Sequence, residues 1–393
     1  MRVPLLDLAR EYERVRPAVE TRVRSVFDAQ QFILGKVVEE FEHAFCEFTG
    51  SAHAIGMSSG TDAQLAILMA LQIGPGDAVI TTPYSFFATA GSIHRAGAEP
   101  VFVDVDPDTF EIDSTKVRAY LAQLASGSDG QLVTARGNRV RAVLPVHLFG
   151  LCCAMDPLYD AARAYRLTII EDAAQAIGAE CFFRNKPSQA GTMAEAAFFS
   201  FFPTKNLGAA GDAGMAVCRD ERLAEELRLV RNHGMEQGYL HRIVGGNFRL
   251  DAIQAAVLHA KLPFVQEWNA ARRRNASLYA AALADLQDDV KLPSEPWKRT
   301  GLANHHTWHQ FVIRVKRRDE LLSRLTEAEI GHAVYYPVPL HLQQCFAFLG
   351  YKAGDFPEAE RAAREAVALP IFPGLREEEI EAVVRTIRTF YET

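Results

Sequence analysis

Residues 141–172 read RAVLPVHLFGLCCAMDPLYDAARAYRLTIIED, and this stretch decides the fold class. It opens on a β-rich run, RAVLPVHLF, passes through a helical stretch, MDPLYDAARAY, and returns to a second β-run, LTIIED. A strand pattern that gives way to helical spacing and then resumes is the signature of a strand–helix–strand crossover. The same alternation extends outward. AVITT and PVFVDV are β-runs, and FATAGSIHRAG and STKVRAYLAQLA are helical stretches. Apolar strands alternating with helices build a mostly parallel sheet covered on both faces. The predicted class is therefore α/β.

Towards the N-terminus, residues 11–48 read as helix, ended by the breaker Thr49-Gly50-Ser51. A short strand, AHAIGMS, follows, then the turn Ser58-Ser59-Gly60-Thr61 and a helix, DAQLAILMALQI, closed by Gly74-Pro75-Gly76. Towards the C-terminus, AEAAFFSFFPTKNLGAAGDAGMAVCRD reads as two short strands joined by a loop that bears Lys205. Helical stretches at 220–232 and 250–283 come next, then the Pro-rich LPSEPW, a strand, WHQFVIRV, and a helix, RDELLSRLTEAEI. A chain of 393 residues suits one large α/β domain plus a smaller one. The expected division is a large domain over 1–260, with the N-terminal helices and the sheet, and a smaller C-terminal α+β domain over 261–393.

Composition narrows the function. With 49% hydrophobic and 23% charged residues the chain is globular, and a net charge of −7 without a basic, aromatic-studded tract argues against nucleic acid. No apolar stretch reaches membrane-spanning length, and MRVPLLDLAREYERVR lacks a signal core, so a cytoplasmic location is expected. Only a short loop around Ser126–Gly130 is expected to lack order. The six cysteines include no CxxC pair and read as core thiols. The cluster Asn304–His309 has no acidic or Cys partner at ligand spacing, so no metal is expected.

Four places carry chemistry. Asp172 ends an apolar β-run, where ligands gather beyond the carboxyl ends of strands; it can pair with a cation or simply cap a helix. Lys205 lies near Phe198, Phe199, Phe201, Phe202 and Pro203. Such surroundings lower an amine's pKa and free it for imine formation, whereas most lysines only decorate a surface. The turn Ser58–Thr61 before a helix can cradle a phosphate, as well as cap the helix. Phe86 follows a strand and can stack on a flat ring or pack in the core. No Walker sequence and no G-x-G-x-x-G after a strand is present, so nucleotide triphosphatases and Rossmann dehydrogenases lack support.

Nine ordered segments share one pattern: FILGKVVEEFEHAF, MSSGTDAQLAIL, ITTPYSFFATA, PVFVDVD, PVHLFG, IIEDAAQAIGA, FSFFPTKNLG, VGGNFRLDAIQAAVL and YYPVPLHLQ. In these the chain resembles, nearly end to end, the DegT/DnrJ/EryC1/StrS family of sugar aminotransferases. The resemblance implies the pyridoxal-5′-phosphate-dependent transferase fold of type I, similar to aspartate aminotransferase. It implies that Lys205 is the Schiff-base lysine and Asp172 the partner of the pyridine nitrogen. Gln175 would approach the ring hydroxyl, and Phe86 would stack on the ring. Gly60, Thr61, Asp62 and Ser200 would hold the phosphate, joined by Asn247 from a second subunit, so the active unit would be a homodimer. LGAAGDAGMAV departs from the family's usual Gly-Gly-Glu/Asp-Gly-Gly-like run but keeps Gly211-Asp212-Ala213-Gly214.

The implied reaction moves an amino group from L-glutamate to a UDP- or dTDP-linked keto sugar. YLHRIVGGNFRLDAIQAAVL resembles members acting on 3-keto sugars, which make amino sugars for lipopolysaccharide or other glycans. A 4-keto-6-deoxy sugar nucleotide is the competing substrate. Relatives with His at the lysine position are dehydratases; Lys205 speaks against that lyase reading. A regulator that binds the cofactor without catalysis is a further alternative. Arg249 is a candidate for a carboxylate or phosphate contact, and His341 for the sugar site; each can equally be structural.

Overall fold

The computed structural model describes residues 1–127 and 130–392. Its centre is a mixed sheet whose main strands are β1 (His53–Met57), β2 (Asp77–Thr81), β3 (Glu99–Phe102), β4 (Arg139–Leu144), β5 (Thr168–Asp172), β6 (Ala196–Ser200) and β7 (Gly214–Cys218), with two short strands, Ala125–Ser126 and Leu132–Val133, added beside β4. The spatial order is β1-β7-β6-β5-β4-β2-β3. β3, β2, β4, β5 and β6 run parallel, and β7 is antiparallel to both β6 and β1. The α/β reading from 141–172 holds: β4 and β5 are parallel neighbours joined through the helix Met155–Ala164. These strands are apolar on both faces because helices cover both, and two buried clusters lie on the two sides, one around Phe45, Val143 and Phe199, the other around Ile55, Ile170 and Phe198.

A second sheet joins β8 (Val290–Lys291), β9 (Phe311–Val315) and β10 (Ala366–Leu369), all antiparallel. Its core holds Tyr279, Phe311, Leu321, Phe372 and Ile387, and also Val3, which arrives from the other end of the chain. Val3 bridges to Ile330, and the Arg10 guanidinium clamps the buried Glu379 carboxylate at 2.8 and 2.9 Å. The first residues are therefore tied to the C-terminal sheet.

The continuous helix expected over 11–48 is two helices, α1 (Leu8–Ala29) and α2 (Lys36–Thr49). Gln30, Leu34 and Gly35 all have positive φ, a conformation a helix cannot contain. The stretch 250–283 divides likewise, at a short turn around Pro263, into Ala252–Lys261 and Val265–Ala282. Two hairpins went unforeseen, Glu180–Phe183 with Lys186–Gln189 and Met235–Gln237 with Leu240–His241. Of the loop around Ser126–Gly130, residues 128 and 129 lie outside the described residues, and its flanks pair as Ala125–Ser126 with Leu132–Val133. All six cysteines are free; Cys152, Cys153, Cys181 and Cys218 are buried core thiols as expected, whereas Cys46 is half-buried and Cys345 is exposed. Among the described residues no group of His, Cys, Asp or Glu could hold a metal, and no helix is long and apolar enough to cross a membrane.

Candidate active site

Register brings the site together. Phe198 on β6 pairs with Asp172 on β5, so Ser200 emerges two residues beyond, at the same end of the sheet. Ser200 pairs with Gly214, and Gly214 with Met57, which sets Ser58 and Ser59 at that end too. The helix α3 (Gly60–Ala70) starts there. Its approach is tight: a Cβ on Gly60 would lie 2.7 Å from Ser200 Cβ, and one on Gly214 would lie 2.3 Å from the Ser59 carbonyl carbon. Only glycine fits either place. Gly60→Ala is expected to push α3 off β6, at a cost of about 1–3 kcal/mol in stability; a denaturant titration of both proteins checks it.

Ser59 caps α3 by accepting from the Asp62 N–H at 3.0 Å. Gly60 and Thr61 head the helix, where N–H groups lack intrahelical partners and the dipole favours an anion. Asp62 corrects the sequence reading. Its N–H is spent on Ser59, and its carboxylate accepts from Ser58 Oγ at 2.7 Å. Asp62 therefore shapes the turn and has no free amide for a phosphate.

Strand alternation sends Asp172 and Glu171 to opposite faces. Glu171 points into the core, fully buried, and accepts from the amides of Gly191, Met193 and Ala194 at 2.7–2.8 Å. It also accepts from His147 Nε2 at 2.9 Å; the Cys153 amide donates to His147 Nδ1, which leaves the ring proton on Nε2. Asp172, 5% exposed, accepts from Thr89 Oγ1 at 3.0 Å and from the Ala174 amide at 3.1 Å. Burial raises its pKa, against the pull of those donors, Lys205 and His147.

Lys205 sits in a tight loop, its amide donating to the Phe202 carbonyl at 2.8 Å. Desolvation pulls its ammonium down to about 8, and the Asp172 charge partly opposes this. The two groups are thus close enough to act on each other's proton affinity. Asn206, beside Lys205, is held by its side-chain amide to Asn269 Oδ1 and the Thr307 carbonyl, at 2.8 and 3.0 Å.

Gln175 is buried and oriented by two bonds. Its Oε1 accepts from the Phe149 amide at 2.7 Å, and its Nε2 donates to Tyr336 Oη at 2.9 Å, leaving one N–H uncommitted. Phe86 is 57% exposed and sits with its ring centroid 6.4 Å from that of Tyr336. The reading of Phe86 as a core residue is thereby set aside.

Three further candidates remain, two of them on the segment that runs beside Met57 and Ser58. Asn247 is exposed, next to Phe248, whose carbonyl accepts from the Ser58 amide. Arg249 bridges to Met57 and donates to Asn232 Oδ1 at 2.7 Å. His341 corrects the sequence reading: it is 1% exposed, bonded to Glu360 at 3.2 Å and packed on Phe356, so it presents no surface to a sugar. Thr89 and Tyr336 were missed. A lone hydroxyl within FFATAGSI and a tyrosine pair before Pro337 were the available signals, but their partners are 83 and 161 residues distant.

Comparison with known proteins matches residues 14–388 to the model of the DegT/DnrJ/EryC1/StrS aminotransferase family. The chain is 44% identical over 392 residues to a pleiotropic regulatory protein of Geobacillus stearothermophilus, covering 100% of this chain and 99% of that one. It is 39% identical to the UDP-N-acetyl-3-dehydro-alpha-D-glucosamine 3-aminotransferase of Acidithiobacillus ferrooxidans, covering 98% and 97%. Among solved structures, Streptomyces venezuelae DesV in complex with a ketimine intermediate superposes with a TM-score of 0.90 at 38% identity, covering 100% and 99%.

Proposed function

The chain belongs to the DegT/DnrJ/EryC1/StrS aminotransferase family, and from that premise we propose that it uses pyridoxal 5′-phosphate to aminate a nucleotide-linked keto sugar. One observation carries the reading: a half-buried lysine, its amine pulled down to about 8 by desolvation, and a buried carboxylate close enough to oppose that shift stand at the carboxyl end of a central strand, beside a helix N-terminus. The residues fit the cofactor's parts. The amine of Lys205 suits its aldehyde, Asp172 its pyridine nitrogen, the spare N–H of Gln175 its ring hydroxyl, and the exposed face of Phe86 its ring. Gly60 and Thr61 amides and Ser200 Oγ suit its phosphate, and the absence of a Cβ on Gly60 lets Ser200 stand directly against the helix start.

When bound, the cofactor supplies the electron sink for the substrate carbon. The protein's residues do the rest. Asp172 keeps the pyridine nitrogen protonated by opposite-charge pairing. Lys205 Nζ, neutral above pH of about 8, would take the proton from the donor's α-carbon and deliver it to the cofactor's aldehyde carbon, and in the second half-reaction would move a proton in the opposite direction, onto the sugar carbon that receives the nitrogen. L-Glutamate as donor and a 3-keto sugar on UDP or dTDP as acceptor are part of this proposal; the relative named for a UDP-linked 3-dehydro sugar supports the acceptor. Arg249 is the candidate for the donor carboxylate. We also place a second copy at the site, contributing Asn247; the exposed Asn247 and the arm bearing Tyr239 (89% exposed) and Val244 (89%) support it. The division into two domains is proposed too, with the crossing placed inside the helix Val265–Ala282 and so later than residue 260: Leu262 and Val265 pack in the large core, Ala276 and Tyr279 in the C-terminal one.

The regulatory name of the Geobacillus relative favours a second reading, a cofactor-binding regulator. The test is the visible spectrum of the cofactor-loaded protein with L-glutamate, then with a 3-keto sugar nucleotide. Bleaching by glutamate and recovery with the keto sugar is the expected result. A band that no amino donor changes would turn the assignment to elimination or regulation.

A further inference from the structure

Asp172 alone is a weak counter-ion for a pyridinium, because burial favours its neutral form. Two buried hydroxyls oppose this. Thr89 Oγ1 lies 3.0 Å from Asp172 Oδ2, and Ser85 Oγ lies 3.0 Å from Thr89 Oγ1. A carboxylate accepts only, so the single hydroxyl proton of Thr89 goes to Asp172, and Ser85 must then donate to Thr89. Both are buried, at 1% and 3% exposure, where water cannot substitute for either. Bonds aligned this way polarise one another towards the negative end.

We propose that Ser85 and Thr89 form a directional hydroxyl relay that orients Asp172 and holds it ionised for the pyridine nitrogen. They are positioning residues, acting through Asp172, and the proposal rests on the pyridoxal phosphate reading above. Gln64 Nε2 anchors the Thr89 carbonyl at 2.8 Å from the side of α3. The relay and Phe86 belong to one segment, 85–89, so the ring-stacking face and the support of the carboxylate are set together. Lys205, His147 and Tyr336 also act on Asp172 from the elements around it, and none is altered by the variants below.

The test compares wild type, Thr89→Val, Thr89→Ser and Ser85→Ala. It reads pyridoxal phosphate affinity and the pH at which the bound cofactor's visible band changes, with circular dichroism as the check on folding. Thr89→Val is expected to bind about tenfold more weakly and to shift the band's titration. Thr89→Ser should restore both, and Ser85→Ala should shift them less, in the same direction. Wild-type values in Thr89→Val, or a Thr89→Ser as impaired as Thr89→Val, would overturn the relay alone. Should Thr89→Val not fold, Ser85→Ala decides: an unchanged band titration overturns the relay. A wild type that binds no pyridoxal phosphate would overturn the relay and the proposed function together.

Discussion

Lys205→Ala is expected to leave a folded protein that holds pyridoxal phosphate without a covalent bond and transaminates at least about 10⁴-fold more slowly. The magnitude follows from general acid–base catalysis alone, worth about 10²–10⁴-fold, to which loss of the nucleophile adds. The fold should survive because the Lys205 ammonium makes no hydrogen bond among the described residues, while its loop is closed by backbone bonds from Lys205 and Ala209. Borohydride reduction followed by mass analysis reads the covalent link: wild type should gain the cofactor's mass at Lys205 and the variant none. In cofactor-free wild type, the rate of imine formation should rise about tenfold per pH unit up to a pH of about 8 and then level off. Burial lowers the ammonium to that value, so the reactive neutral amine accumulates as pH rises towards it. A plateau near the free-lysine value would show that the pocket does not desolvate Lys205.

Asp172→Asn is the second large expectation, a loss of about 10³-fold in kcat with a smaller change in KM. The substitution preserves shape and removes the charge that holds the pyridine nitrogen protonated. Removing one partner of a buried pair costs about 3–5 kcal/mol, and about 4 kcal/mol is about 10³ in rate. The Ala174 amide can still donate to the remaining side-chain oxygen, so thermal unfolding should change far less than activity. A variant with wild-type kcat would remove Asp172 from the chemistry.

The chemical core of the site was legible in the sequence because local patterns mark it. Asp172 ends an apolar strand, and Lys205 stands among aromatic residues; both cues lie within a few residues of the group they identify. What failed was long-range or conformational. Nothing near Thr89 or Gln175 reveals that their side chains meet Asp172 and Tyr336, since folding alone brings those segments together. Asp62 looked like a phosphate ligand until Ser59 was seen to take its amide. For His341 the sequence leaves a sugar contact and a structural role open, because a histidine in a Pro-rich segment gives no sign of burial and Glu360 meets it only in three dimensions. The helix break at 30–35 left no proline, and its positive φ values at Gln30 and Leu34 fall on residues with no preference for them.

Glu171 has a consequence for how the enzyme tolerates change. It and Asp172 are chemically almost interchangeable, yet one lies locked under the sheet by four donors and the other faces the candidate site. Side-chain direction alternates along a strand, so a slip of one residue would exchange them. The four donors forbid that slip, because a misaligned β5 would strand three amides and an imidazole in the interior. Glu171 therefore works as a positional gauge for its neighbour, and an insertion or deletion upstream in β5 should be lethal to catalysis even where every named catalytic group is retained.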